Sequence, residues 1–496
     1  MKNIVFKAGA AIAVALSTFA CADIENLNVN PNTTTKGNAD MLSTGVVMSF
    51  VNRSSFSTNA YLSKYFFWGE QLEKNQYNSI SNSSFDPLLN VTNGQKMVEC
   101  ANESIKASYE GLYYLQKAML FFDATMQMGD IPYSEALNIE RYRYPKYDEQ
   151  KDVFAGILSD LEQADKLFSE ASHPISGDPF NYGGDVSLWR KASNSLRMRV
   201  LMALSKRADD TPELKIKDTF KSIVNSGVYI KEGEDLIIEF SSKGGQTNPI
   251  KQENWKSINL VAASTVLVNT LKELEDYRLF HYLSPMTAAT TPADSYDSYM
   301  GIDPSIVFSE GCKQINSGEY CCVNEFLRST DTGVPFVFIG SSETNFLMAE
   351  AAERGWISGS AKSYYDKGVA ASMNYVKKYY TENKGMDITD SYIAGYLSGK
   401  AAYKGGNEGI KQIMIQKYLA SFLNGNLETW YDYRRTGYPE FPINPDTNLN
   451  EDKNSIPVRY LYPTSETNYN KEQLEIALER QWGGVESVNK MMWILK

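Results

Sequence analysis

The sequence predicts an all-α protein built from about four tetratricopeptide-like helix pairs, with a loop-rich, short-strand insertion forming the binding face. The clearest of these pairs is Ser342 to Lys378. There Phe346, Leu347, Ala349, Ala351 and Ala352 form an apolar, small-residue stripe, and Gly355 stands where a helix ends in a left-handed residue. Ala361, Tyr365, Val369 and Met373 then recur every four residues, one face of a second helix. Small side chains let the two backbones approach, and an aromatic (Trp356, Tyr364 or Tyr365) fills the gap toward a neighbour. Such a pair cannot bury its apolar face alone, so further pairs are expected. Any antiparallel pair in an all-α protein would give the same local pattern.

The chain opens on Lys2 and Lys7, an uncharged run from Ala8 to Ala20, and Cys21. A membrane span needs ~20 apolar residues, so the run reads as an export signal over residues 1–20. Leu16-Ser17-Thr18-Phe19-Ala20-Cys21 is similar to a bacterial lipobox, with Thr18 where Leu is usual; the alternative is an ordinary signal peptide cut near Ala20. With the lipobox, Cys21 becomes the lipid-bearing first residue, each buried CH₂ adding ~0.8 kcal/mol of membrane affinity. Residues 21–39, polar and Asn-rich with Pro31, form the anchor and tether, and residues 40–496 the body.

Further helices are expected from Asp40 to Tyr65, Ser104 to Met128, Gln150 to Phe168, and about Leu188 to Ala203. Another opens at Thr211-Pro212 and runs to Gly227. Scaffold pairs therefore occupy 40–230 and 342–436. Between them, residues 231–341 change character. Short strands are expected at Asp235–Phe240 and Pro335–Ile339, helical patterning only from Trp255 to Leu271, and loops around Gly244-Gly245-Gln246 and Thr287–Pro304. After a helix from Glu408 to Leu423, broken by Asn424-Gly425, and another from Leu427 to Arg435, the tail 437–496 reads as irregular.

A net charge of −11 over 496 residues argues against nucleic acid, whose phosphates need Lys and Arg. Only His173 and His281 are present, so His-rich metal sites are unavailable and a Ser-His-Asp system would have to use one of them. No metal or cofactor is expected. Cys100, Cys312, Cys321 and Cys322 allow three pairings outside the cytoplasm; Cys312 with Cys321 or Cys322 closes the shortest loop and is preferred. The 32 tyrosines exceed core needs and suggest a surface that stacks on a ligand.

Several segments together resemble the SusD/RagB outer-membrane lipoproteins. They are Asn28-Val29-Asn30-Pro31-Asn32, Gly129-Asp130-Ile131-Pro132-Tyr133-Ser134-Glu135-Ala136, Tyr147-Asp148, Leu188-Trp189 and Asn194-Ser195-Leu196-Arg197-Met198-Arg199. Further along come Ala349-Glu350-Ala351, Glu428-Thr429-Trp430, Arg434-Arg435-Thr436-Gly437-Tyr438-Pro439, Ile456-Pro457-Val458-Arg459 and Tyr462-Pro463. The resemblance implies a non-catalytic, surface-exposed lipoprotein of the outer membrane that captures oligosaccharides or other nutrients. It would sit as a lid on a partner TonB-dependent (SusC-like) transporter. Most of the shared motifs read as scaffold, Arg434 and Arg435 as buried ion-pair and packing residues.

Sugars present apolar C–H faces ringed by hydroxyls, so a site for them needs aromatic planes with amides, carboxylates or Arg. Three loops carry that mixture: Trp68–Phe85 (Asn75, Tyr77, Asn78), Gln246–Trp255 (Asn248, Asn254, Trp255) and Tyr282–Met300 (Tyr296, Asp297, Tyr299). The ligand residues expected from them are Tyr77, Asn78, Trp255, Tyr296, Asp297 and Tyr299. Two other functions fit a helical scaffold: a surface glycoside hydrolase using a pair among the 60 carboxylates, and a peptide-binding adaptor.

Overall fold

The computed structural model describes residues 37–51, 55–424 and 427–496; the expected signal segment, Cys21 and most of the tether lie outside the described residues. Helices dominate. In chain order they begin with α1 (Ala39–Ser49), α2 (Ser55–Leu62), α3 (Val91–Cys100), α4 (Lys106–Met128), α5 (Gln150–Glu170), α6 (Val186–Ala203) and α7 (Ile216–Ser226). Four short helices follow in the middle of the chain: α8 (Thr265–Glu273), α9 (Arg278–Tyr282), α10 (Phe308–Asn316) and α11 (Glu325–Ser329). The rest are α12 (Ser341–Glu353), α13 (Ala361–Tyr379), α14 (Asp390–Ser398), α15 (Gly406–Ala420), α16 (Glu428–Thr436), α17 (Thr464–Tyr469) and α18 (Lys471–Trp482).

The expected close approach of paired helices takes one form twice. In α4–α5, a Cβ on Gly111 would stand 2.9 Å from the Phe168 ring; in α12–α13, one on Gly368 would stand 2.7 Å from the Phe346 ring. Each glycine is the socket for its partner's phenylalanine, which a methyl group would obstruct. Gly355 ends α12 at φ +74°, and the Trp356 amide returns to the Ala351 carbonyl (2.8 Å), closing the helix end. Trp356 is buried edge-on against Phe220 of α7 (5.8 Å), so an aromatic does join this pair to the next. At Thr211-Pro212 the chain makes a 3-10 turn (Pro212–Leu214); α7 starts only after Lys215, whose φ is +49°.

Two large apolar cores result. One gathers α1, α3 to α7 and the C-terminal α18; the other gathers α13 to α15 and the middle of the chain. Helix α12 lies between them, giving Leu347, Met348 and Ala351 to the first and Phe346 and Ala349 to the second. Its Glu350 is wholly buried and answered by Arg435 (Nη2 to Oε2, 2.9 Å) and Arg354 (2.8 Å). Arg435 also meets Asp432 (2.7 Å), which binds Lys417 (2.6 Å). Arg199 makes a two-pronged contact to Glu343 (2.7 Å each) and reaches Glu428 at 3.2 Å. Arg434 differs: it lies over the Trp430 ring at 4.0 Å and donates to the carbonyls of Met126 (2.9 Å) and Val458 (2.7 Å). The motif residues Arg199, Glu350, Arg434 and Arg435 are thus scaffold.

Strands are few and short: β1 (Phe66–Trp68), β2 (Leu236–Ile238), β3 (Val261–Ala263), β4 (Leu283–Ser284), β5 (Cys322–Val323) and β6 (Phe336–Ile339). The two expected strands, β2 and β6, pair antiparallel with Ile238 opposite Phe336. The other four make an antiparallel sheet in the order β1-β3-β5-β4.

Three expectations are corrected. Trp255–Leu271 is not one helix: a 3-10 turn (Lys256–Leu260) leads into β3, and α8 begins after Ser264, whose hydroxyl accepts the Leu267 amide. The 437–496 tail carries α18, anchored by buried Leu474 and Ala477. Cys312 is not paired with Cys321 or Cys322, and among the described residues Cys100, Cys312, Cys321 and Cys322 are free thiols. Cys312, on α10, points its Sγ at the Gly69 carbonyl (3.4 Å), whereas Cys321 is buried at the entrance to β5.

Candidate ligand-binding face

The four-stranded sheet gathers the loops singled out for their chemistry. The loop after β1 and the loop before β3 leave from the same end, since Trp68 pairs with Val261 and the Gly69 amide donates to the Leu260 carbonyl (2.9 Å). The loop after β4 leaves from the other end, and its return strand passes back beside β3, where the Thr265 amide meets the Ile302 carbonyl (3.0 Å). It is then stitched to the first loop by Gln76 Nε2 to the Pro304 carbonyl (3.2 Å) and Tyr77 OH to the Ile306 carbonyl (2.9 Å). Ser257 on the second loop donates its hydroxyl to Glu70 on the first.

The six expected ligand residues separate here. Tyr77 is buried beside Phe67, Ala262 and Ile302 in a small third core. Asn78, at φ +62°, is buried with its Oδ1 accepting from Lys64 Nζ (2.7 Å) and its Nδ2 donating to Asn448 (3.2 Å). Tyr299 is buried edge-on to Phe280 (5.3 Å) and spends its hydroxyl on the Ala293 carbonyl (3.0 Å). These three build the loops and do not present to a ligand: their position in polar, aromatic loops hid the fact that each is an internal brace. Trp255 and Tyr296 are half-buried and Asp297 is exposed.

Two aromatic groups lie at the edge of the second core, with Trp68, Tyr277, Tyr296 and Tyr392 half-buried and Tyr61 and Phe280 buried beneath them. In the first, Trp68 at the end of β1 stacks on Tyr61 of α2 (6.1 Å between centroids, 14° between planes). Neither the Trp68 indole N–H nor the Tyr61 hydroxyl has a hydrogen-bond partner among the described residues. Burial, and then the nearby Glu73 carboxylate, push the Tyr61 hydroxyl well above its ordinary range, so it stays a neutral donor. Around this pair stand Glu70, Glu73 and Asn75, and Leu72 and Leu260 are exposed. In the second group Tyr277 and Tyr392 stack at 3.8 Å and 15°, and Tyr277 continues edge-on to Phe280 (6.0 Å) and from there to Tyr296 (4.9 Å). The Tyr296 hydroxyl has no partner among the described residues. Asp297 lies at its rim.

Sequence reasoning placed Trp68 only at the edge of a loop and missed Tyr61, Tyr277 and Tyr392. The Trp68-Gly69 step was a usable signal, because Gly69 leaves room for Ile315 that a Cβ would occupy at 2.1 Å. Tyr392 gave no signal, since it arrives from a helix more than a hundred residues away. Neither histidine is set up for nucleophilic catalysis. His281 is buried, which holds its imidazole below the ordinary value and neutral, and His173 turns to the Pro174 carbonyl (2.7 Å). Among the described residues no group of three or more His, Cys, Asp or Glu could hold a metal ion, and no helix is long and apolar enough to cross a membrane.

Residues 27–463 match the SusD-like family model described as "Starch-binding associating with outer membrane". Among solved structures the chain is similar to a SusD homologue from Bacteroides fragilis at 39% identity, covering 93% of this chain and 100% of that one with a TM-score of 0.89. A second SusD homologue from Bacteroides fragilis matches at 30% identity over 93% of this chain and 100% of its own, TM-score 0.82. A chitin-binding protein shares the fold at 22% identity, covering 92% and 98% with a TM-score of 0.74. No curated protein matches the chain. The helix-pair architecture expected from the sequence is the architecture of these structures, and the family is one of binding proteins rather than enzymes. With a family model spanning most of its length and a relative at 39% identity, the chain belongs to the SusD-like family of nutrient-binding proteins that associate with the outer membrane.

Proposed function

We propose that this protein is a cell-surface lipoprotein, held to the outer membrane by acyl chains on Cys21. It captures an oligosaccharide on the loop-built face and passes it to a partner TonB-dependent, SusC-like transporter. One observation carries the ligand class: half-buried Trp68, backed by the buried ring of Tyr61, stands beside exposed Glu70 and half-buried Glu73. An aromatic plane with adjacent carboxylates suits a pyranose face ringed by hydroxyls. We assign Trp255, Tyr296 and Asp297, on the neighbouring loops, as further contacts, and the chitin-binding protein that shares the fold is in keeping with a glycan ligand.

A glycan and peptide array on the chain lacking residues 1–21 tests the ligand class. Binding to one glycan class, lost in Trp68→Ala, is the expected result; binding to peptides alone would favour the adaptor function and end this one. Release of reducing sugar from any bound glycan would point instead to a hydrolase. Anchoring and partnership are tested in the native host. Cys21→Ser should move the protein out of the membrane fraction, and the lipidated protein should co-purify with a β-barrel transporter. Failure of both would sink the lipoprotein and transporter assignments.

A further inference from the structure

Beneath the first loop, between α2 and β1, lies Lys64. Its side chain is wholly buried, and its backbone is left-handed at φ +58°, a strained choice for a residue of this type. The turn is held by the Tyr65 amide to the Ala60 carbonyl (2.9 Å), while the Lys64 carbonyl accepts Ser264 Oγ (2.5 Å) and Tyr418 OH (3.2 Å). This fixes where the amine goes. Nζ donates to the Gln76 carbonyl (2.5 Å) and to Asn78 Oδ1 (2.7 Å).

Both acceptors are neutral, and among the described residues no carboxylate pairs with Lys64. An ammonium has three N–H bonds and a charge that is costly to bury unpaired; a neutral amine has two N–H bonds, matching the two acceptors. Burial alone draws this amine down to about 7. The titratable groups packed around it do not oppose this. Tyr61 and Tyr65 on its own turn and Tyr418 on α15 have hydroxyls raised by burial, hence neutral. On the facing loop Glu73 is turned to the Asn75 amides (3.0 Å), Asp303 beside Pro304 is turned to Ser305, and Lys453 in the C-terminal segment donates to the Asn448 carbonyl (2.7 Å).

The two groups that Lys64 grips hold the rest of the face. Gln76 accepts the Trp68 amide on its Oε1 (3.0 Å) and donates to the third loop at Pro304 (3.2 Å); Asn78 donates to Asn448 (3.2 Å). We propose that Lys64 is a positioning residue of the ligand face: its uncharged amine pins the Glu73–Asn78 turn and through it Trp68, so that protonating the amine loosens the loop and weakens capture. This rests on the loop face being the ligand site, and the test is built on readouts that need no ligand.

The mature chain is compared with Lys64→Gln, which keeps two donors without a titratable charge, and with Lys64→Met, which removes the donors. Three measurements are made from pH 9 to pH 5.5: the Lys64 side-chain ¹⁵N shift, amide exchange across residues 73–78 corrected for intrinsic rates, and indole fluorescence. In the unaltered chain the ¹⁵N shift is expected to be that of a neutral amine at pH 8.5 and to change near pH 7. Exchange in the turn should rise about tenfold for each unit that pH falls from 9 towards 7 and level off below that point. Lys64→Gln should show no such step, and Lys64→Met should exchange quickly at every pH. An ammonium shift at pH 8.5, or a turn equally protected at pH 9 and pH 5.5, overturns the proposal. Should Lys64→Met fail to fold, the unaltered chain and Lys64→Gln still decide it. A chain that binds no glycan but shows the step would sink the glycan assignment and leave the pin standing.

Discussion

The α12–α13 pair and the four-stranded sheet are held together in opposite ways. In the helix pair, Gly368 and Phe346 lie in adjacent helices of one hairpin, and a regular spacing of small and large side chains sets the contact. In the sheet, strands of two or three residues come from positions 66, 261, 283 and 322, and each is held by partners far along the chain. The scaffold repeats one local rule. The loop-built face has no local rule, and its order comes from long-range braces such as Tyr77, Asn78 and Lys64. A small set of buried side chains can therefore shape this surface without being exposed on it.

The largest effect expected is on the scaffold. Glu350→Ala leaves Arg435 buried without its principal partner and should cost about 3–5 kcal/mol in urea unfolding. Asp276→Ala, which strips Arg278 of its wholly buried partner (2.6 Å), should cost a similar amount in the other core. Equal losses would show that both cores depend on their ion pairs, and a loss confined to Glu350 would make the comparison sharper still. Next, Gly368→Val drives a side chain into the Phe346 ring and should cost about 1–3 kcal/mol. Gly69→Ala should cost less, because it meets the flexible end of Ile315. If Gly69→Ala proved the worse of the two, the contrast between rigid scaffold and adjustable face would fail.

Trp68→Ala acts at the surface and should weaken glycan binding at least about tenfold, equivalent to about 1.4 kcal/mol, while moving the unfolding midpoint little. Acid gives the mildest separation. Burial raises the Glu350 and Asp432 carboxyls, but for Glu350 the charges of Arg435 and Arg354, and for Asp432 those of Lys417 and Arg435, outweigh it. Both end below their ordinary values of 4.5 and 3.8. Their stabilisation is present above those values and lost as pH falls through the lower folded ones. Urea midpoints should therefore drop as pH is lowered below about 4, and less so in Arg435→Met. Lys64 has the reverse sign. Its folded value near 7 lies below the ordinary 10.5, so its stabilising effect grows as pH rises between the two; Lys64→Gln should lack that rise.

What could be read from sequence follows the same division. Helices α4, α5, α12 and α13 repeat apolar residues every three or four positions and were legible almost to the residue. β3 was not, since Val261-Ala262-Ala263 is buried on both faces and shows no alternation. α18 was hidden by its charges, because only Leu474 and Ala477 are buried. For the proposed ligand face, composition singled out three loops but did not tell which of their side chains are buried. Tyr77 and Tyr296 have the same chemistry in similar loops; only the fold tells that one is internal and the other at the rim.

The sheet's construction has a practical consequence. Its first and last strands are separated by more than two hundred and fifty residues, so closing it is entropically slow, whereas each helix hairpin can form from its own neighbours. Material that has settled its hairpins but not its sheet will give a nearly normal helical circular dichroism spectrum and still lack the assembled loop face. Quality of a preparation is therefore better judged from the environment of the indole at Trp68 than from helix content.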